Sequence, residues 1–140
     1  MIGDTAISDV MDATVFVDGP VDLSGLVADL AALVNGSVDG CWVIADNVHL
    51  LVDENDEVDP ARRAVRPNGF LYFSLFVEVY FPPSRPVGER ARLVGRVLTH
   101  LWSRGIAAVA ACDYEDALPH GGGAGDRSLP WPEPPRSSKQ

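Results

Sequence analysis

The chain has 140 residues, 46% of them hydrophobic, and its twenty Asp and Glu against eleven Lys and Arg give a formal net charge of −9 and a pI near 4.5. That length suits one domain whose core can stand without disulfides or metals, and that charge excludes nucleic-acid binding and docking on anionic lipid, which both need a basic stripe. The start, Met1-Ile2-Gly3-Asp4, lacks the basic and apolar regions of a secretion signal, and no stretch approaches the roughly 20 apolar residues that span a bilayer, so a cytoplasmic protein is expected.

Residues 1–12 are polar, and the first strand is expected at Ala13 to Val17, a β-branched run closed by the turn signature Asp18-Gly19-Pro20. A helix follows. Asp22 is placed to cap it, Leu23, Leu26, Val27, Leu30, Leu33 and Val34 recur at helical spacing, and Asn35-Gly36 stops it. Cys41 to Ala45 and Val48 to Val52 flank Asp46-Asn47, which reads as a two-residue hairpin turn or as the bend of one longer strand. A run of carboxylates from Asp53 to Asp59 then opens a surface loop that takes in Arg62, Arg63, Arg66 and Pro67.

From Phe70 to Phe81 the residues alternate with the period of two that marks a β-strand. Leu71, Phe73, Leu75, Val77, Val79 and Phe81 belong to the face expected on the core. Phe70, Tyr72, Ser74, Phe76, Glu78 and Tyr80 form the other, an aromatic face with a single carboxylate. Pro82 to Pro86 is a stiff connector into a second helix with an inward stripe of Val87, Arg90, Ala91, Val94, Val97, Leu98, Leu101 and Trp102. Gly105 followed by Ile106 is a Schellman-type stop, and Ile106 to Cys112 is a last strand. Beyond His120, the Gly121 to Gly125 stretch and four further prolines predict a flexible tail over 121–140 that adds little to stability, leaving a single α+β domain over 1–120.

The order βαββαβ, with one apolar stripe on each helix, predicts a ferredoxin-like sandwich: an antiparallel sheet with both helices on one face and the long strand beside the first. Cys41 and Cys112 then sit at opposite edges as free, reduced thiols. Residues 1–60 carry thirteen acids and no Lys or Arg. Pairing of Asp29 with arginines across the two helices is the economical cancellation of that asymmetry, and it contributes little, about 0–1 kcal/mol per exposed pair. The preference for Arg over Lys is the coding habit of a high-GC bacterial genome rather than chemistry.

The acidic loop fails the EF-hand pattern, since the sixth and twelfth positions counted from Asp53 are Val58 and Ala64 where glycine and glutamate are required. Asp113, Glu115, Asp116 and His120 after the last strand are the residues a divalent ion could use, at a spacing that is not diagnostic, so no metal and no cofactor is expected. There is no phosphate loop, no G-x-S-x-G and no cysteine beside a plausible histidine. The aromatic face, with Tyr72, Phe76, Glu78 and Tyr80 as the binding surface, therefore carries the functional expectation. That expectation is a non-catalytic acidic protein of inhibitor or immunity type, binding a basic protein partner through its sheet face and acidic loops, or pairing with a second copy of itself. The alternative is a small-molecule pocket on the same face at a dimer interface. A roof supplied by the chain's own tail, through Trp131, would leave the face with no partner to explain.

Overall fold

The computed structural model describes residues 7–135. Strand β1 (Ala13–Asp18) leads into helix α1 (Leu23–Val34), and strands β2 (Ser37–Asp39), β3 (Trp42–Ala45), β4 (Val48–Glu54) and β5 (Leu75–Tyr80) follow. Helix α2 (Val87–Ser103) and strand β6 (Ala107–Cys112) complete the order. The strands form one sheet in the order β2-β3-β4-β5-β1-β6, antiparallel throughout. Both helices pack on one face of it. There Leu26, Leu30, Val94, Leu98 and Leu101 close over Val15, Val17, Leu50, Val52, Val77 and Val79, all essentially inaccessible to solvent.

The α+β class with an antiparallel sheet is as the residue pattern implies, but the four-stranded ferredoxin-like topology is not what forms. The sheet has six strands. Two are added: the run from Cys41 to Val52 supplies two strands, β3 and β4, and β2 is three exposed residues that are too short and too polar to signal a strand. Gly40, at φ 60°, turns it back onto β3, so that the chain leaving α1 starts at the outer edge with β2 and steps inward through β3 and β4 to β5. The Asp46-Asn47 turn is a hairpin, with Ala45 opposite Val48.

Helix ends follow their sequence signals. Asp22 Oδ1 accepts the Gly25 amide at 2.8 Å, and Asn35 takes the left-handed conformation at φ 57°. At the end of α2 the Gly105 amide donates to the Trp102 carbonyl and the Ile106 amide to the Leu101 carbonyl, both at 3.0 Å, the two bonds of a Schellman stop. Between the helices, Asp29 accepts from Arg104 Nη1 at 3.1 Å and lies 2.9 Å from His100 Nε2.

The long strand is shorter than its alternation implies, for a reason visible in the register. Val17 of β1 and Glu54 of β4 both stand opposite Leu75, and the two neighbouring strands end there or one residue on. N-terminal to Leu75 the regular ladder stops, with the Asn55 backbone amide still donating to the Ser74 carbonyl at 2.9 Å, and side chains take up further backbone groups. The Asn55 side-chain amide donates to the Leu71 and Phe73 carbonyls at 3.0 and 2.7 Å, and the Ser74 amide donates to Asp18 Oδ2 at 3.0 Å. Residues Asn68–Tyr72 coil into a 3-10 turn. The face assignment changes with them: Leu71 is exposed rather than in the core, and Phe73 is fully buried on the opposite side of the sheet from Leu75 and Val77.

Candidate functional site

On the face away from the helices the register sets out three rows. One runs Trp42, Leu51, Glu78, Thr14, Ala111; a second runs Ile44, His49, Tyr80; a third runs Asp53, Phe76, Phe16, Val109. The end of the third row near β6 is roofed. Phe70 meets Phe16 edge-on at 5.3 Å between ring centroids, Trp131 meets Phe73 at 5.1 Å, and these residues with Ala107, Val109 and Ala124 make a second, smaller apolar cluster.

The roof is built from the stretch whose composition suggested a loose tail, and that stretch is packed as far as Trp131, with 133–135 exposed. Trp131 Nε1 donates to the Ala64 carbonyl at 3.1 Å. Arg66 lies over the Trp131 ring at 4.6 Å and donates to the Asp126 carbonyl at 3.0 Å. The glycines are there because nothing larger fits: at Gly122 and Gly123, with φ of 93° and 104°, an added Cβ would stand 2.9 Å from the Ala110 and Ala108 carbonyls of β6. The backbone thus lies against the sheet edge, where Trp102 Nε1 also donates to the Ala108 carbonyl at 2.9 Å, and covers carbonyls that an edge strand leaves open. Residues 136–140 lie outside the described part.

Away from the roof, Phe76, Glu78, Tyr80, Trp42, Leu51, Ile44 and His49 are half-buried, and both α-helices lie on the opposite side of the sheet. Three of the four residues expected to make the surface, Phe76, Glu78 and Tyr80, are brought together here. Tyr72 is not. It sits in the 3-10 turn, where Arg62 lies over its ring at 5.3 Å. Glu78 meets the demand of a carboxylate in an aromatic setting by pairing: the Tyr80 hydroxyl donates to its Oε1 at 2.8 Å. Burial, and then this carboxylate, push the Tyr80 hydroxyl above its ordinary value.

The sequence reading missed the other half of the surface, which the hairpin contributes. Trp42 is tilted against Tyr80 at 5.7 Å and meets His49 edge-on at 6.4 Å. With Ile7, Ser8, Asp9 and Asp46 these rings line an open hollow of about 680 Å³. The alternation within 42–45 and 48–52 held the signal, because the register of a two-residue hairpin places Trp42 and Leu51 side by side.

Charge is distributed to match. Of the thirteen N-terminal acids, Asp12, Asp18 and Asp29 are paired with Arg90, Arg63 and Arg104 from the second half of the chain or the loop before it. Asp18 is buried, so its pair with Arg63 at 3.1 Å and its bond from the Ser74 amide hold the loop to the end of β1. Among the described residues Asp9, Asp39, Asp46, Asp53, Glu54, Asp56 and Glu57 form no ion pair: Asp9 and Asp46 line the hollow at the open end, Asp39 stands opposite Trp42 and Asp53 opposite Phe76, and Glu54, Asp56 and Glu57 lie at the end of β4 or in the loop beyond it.

The residues weighed for a metal have other occupations. Glu115 Oε2 accepts the Cys112 amide at 3.1 Å, and His120 pairs with Asp126 while its ring stands against Trp102. Among the described residues no three His, Cys, Asp or Glu, Asp113 and Asp116 included, converge as a metal site would require. Cys41 and Cys112 are both unbridged, Cys41 in the turn before β3 and Cys112 on the far edge strand, where burial pushes its thiol up. No described helix is long and apolar enough to cross a membrane. Comparison with known proteins gives no match to a family, a curated protein or a solved structure.

Proposed function

We propose that the protein is a non-catalytic binding module that takes a basic protein partner onto the open end of its sheet face, with the acidic residues around that end steering the approach. The observation that carries this reading is the contrast within one face. The end near β6 is sealed by Trp131 and Phe73, while Trp42, Leu51, Phe76, Glu78 and Tyr80 form a patch that no described helix covers. An aromatic patch of this kind, rimmed by polar residues, marks an interaction site. Its acidity chooses the partner. Two copies laid face to face would bring Asp9, Asp46, Asp53 and Glu78 against their own kind, which a symmetric dimer pays for and a basic partner does not.

The test reverses the charge of the patch. Leu51→Arg with Phe76→Arg should abolish cross-linked capture of a partner from an extract of the producing cells, while Arg92→Glu on the outward side of α2 leaves it intact. Capture that survives the first pair, or is lost equally with the second, removes the face from the function. A concentration-dependent dimer in sedimentation that the Leu51→Arg, Phe76→Arg protein no longer forms would give the face to a second copy instead.

A further inference from the structure

We infer that the hollow beside Trp42 and Tyr80 receives a guanidinium group, an arginine of the partner, which anchors a basic segment on the sheet face; this rests on the reading of that face as a protein-docking surface. The lining argues for it from three sides. Trp42, Tyr80 and His49 supply aromatic rings that meet tilted or edge-on rather than stacked face to face, so no two faces are paired against each other. Asp9 and Asp46 supply carboxylates that no Lys or Arg neutralises among the described residues, while Glu78, outside the lining, holds the Tyr80 hydroxyl from the neighbouring row. Among the described residues no Lys or Arg lines the hollow.

Rings with acceptors and without cationic donors suit one side-chain class. A guanidinium is planar, weakly hydrated, stacks on aromatic faces and offers five donors with no acceptor. An ammonium is a strongly hydrated point charge, and a neutral amide has no charge for the carboxylates to meet. The hollow is also held in place: the Ser8 amide donates to the Phe81 carbonyl at 3.1 Å, which fixes the wall carrying Ile7, Ser8 and Asp9 beside the end of β5.

The experiment uses a blocked glycine-arginine-glycine tripeptide and its citrulline counterpart, which keeps the shape and loses the charge. Binding is read from the three tryptophan indole N–H signals, with the Trp42 signal assigned by Trp42→Phe. The Trp42 signal should shift saturably with the arginine tripeptide while those of Trp102 and Trp131 stay still, and the citrulline form should bind roughly tenfold more weakly. Tyr80→Leu, and Asp9→Asn combined with Asp46→Asn, should each weaken binding severalfold with the Trp102 and Trp131 signals unchanged, which shows the fold intact. Equal binding of the citrulline form, a response spread over all three tryptophans, a lysine tripeptide binding as well as the arginine one, or no saturable response at millimolar peptide would each overturn the inference. If Leu51→Arg with Phe76→Arg still abolishes partner capture in that event, the docking face stands and only its anchor is wrong.

Discussion

The two ends of the outer sheet face use the same kinds of residue for opposite purposes. At the roofed end Phe16, Phe70 and Phe73 are closed over by Trp131, whose indole is fastened to the Ala64 carbonyl and overlaid by Arg66. At the open end Trp42, Phe76 and Tyr80 face outward among carboxylates. Aromatic content alone therefore does not mark a binding surface on a sheet. What separates the two ends is whether the chain itself returns to cover them, and here it returns with a stretch rich in glycine and proline that has no periodicity of its own.

The sharpest way to break the comparison is to unroof the closed end. Phe73 is fully buried, so Phe73→Ala should cost about 3–5 kcal/mol in chemical denaturation, the usual range for deleting a large aromatic from a core. Truncation after His120, which composition alone suggests is harmless, should cost several kcal/mol by the same measurement, because it removes Trp131 and the glycine turn against β6 together. A truncated protein as stable as the full chain would show that the roof adds nothing. Gly123→Ala comes next, at about 2–3 kcal/mol, since alanine is strained at φ 104° and its Cβ would press on the Ala108 carbonyl and the Trp102 ring.

The parts legible in the sequence are those whose signals are local. Asp22, Asn35 and Gly105 bound the helices through hydrogen bonds within a few residues of each, and Asp46-Asn47, which read as a hairpin turn or as the bend of one strand, closes a hairpin. Pairing of Asp29 with arginine across the helices followed once both helices shared a face. The misread parts depend on partners far along the chain. Alternation through Phe70 to Ser74 promised strand, but whether a strand forms was decided by where β1 and β4 run out, and Asn55 and Asp18 then took the backbone elsewhere. Three residues at 37–39 became a strand because β3 offered an edge, not through any pattern in Ser37-Val38-Asp39. Gly122 and Gly123 look like linker until the β6 edge is seen beside them. For the candidate site, Phe76, Glu78 and Tyr80 followed from one strand's alternation, whereas Trp42 and His49 required the hairpin's register as well.

At the open end the comparison implies small effects on stability. Phe76→Ala and Tyr80→Ala should each cost about 1 kcal/mol, well below Phe73→Ala, because half-exposed side chains give up less apolar contact, while partner capture is lost. Losses as large as that of Phe73→Ala would mean that the open end is structural too.

The smallest expected effect is a change in the alkaline limb of stability. The Tyr80 hydroxyl is raised above 10.0 by burial and by Glu78, and the Tyr114 hydroxyl is raised much further by burial and by the bond it donates to Asp12 at 2.6 Å. A raised folded value means the unfolded chain releases the proton more readily. The stabilisation is therefore complete below the unfolded value near pH 10 and is lost as the pH rises through the folded one. Unfolding measured from about pH 8 to about pH 11 should show stability falling at the top of that range. Tyr114→Phe should flatten the fall clearly and Tyr80→Phe only slightly, since Tyr80 stands at the open end where water screens its carboxylate neighbour. If the two substitutions flattened it equally, Tyr80 would be as enclosed as Tyr114, and the face described as open would have a cover of its own.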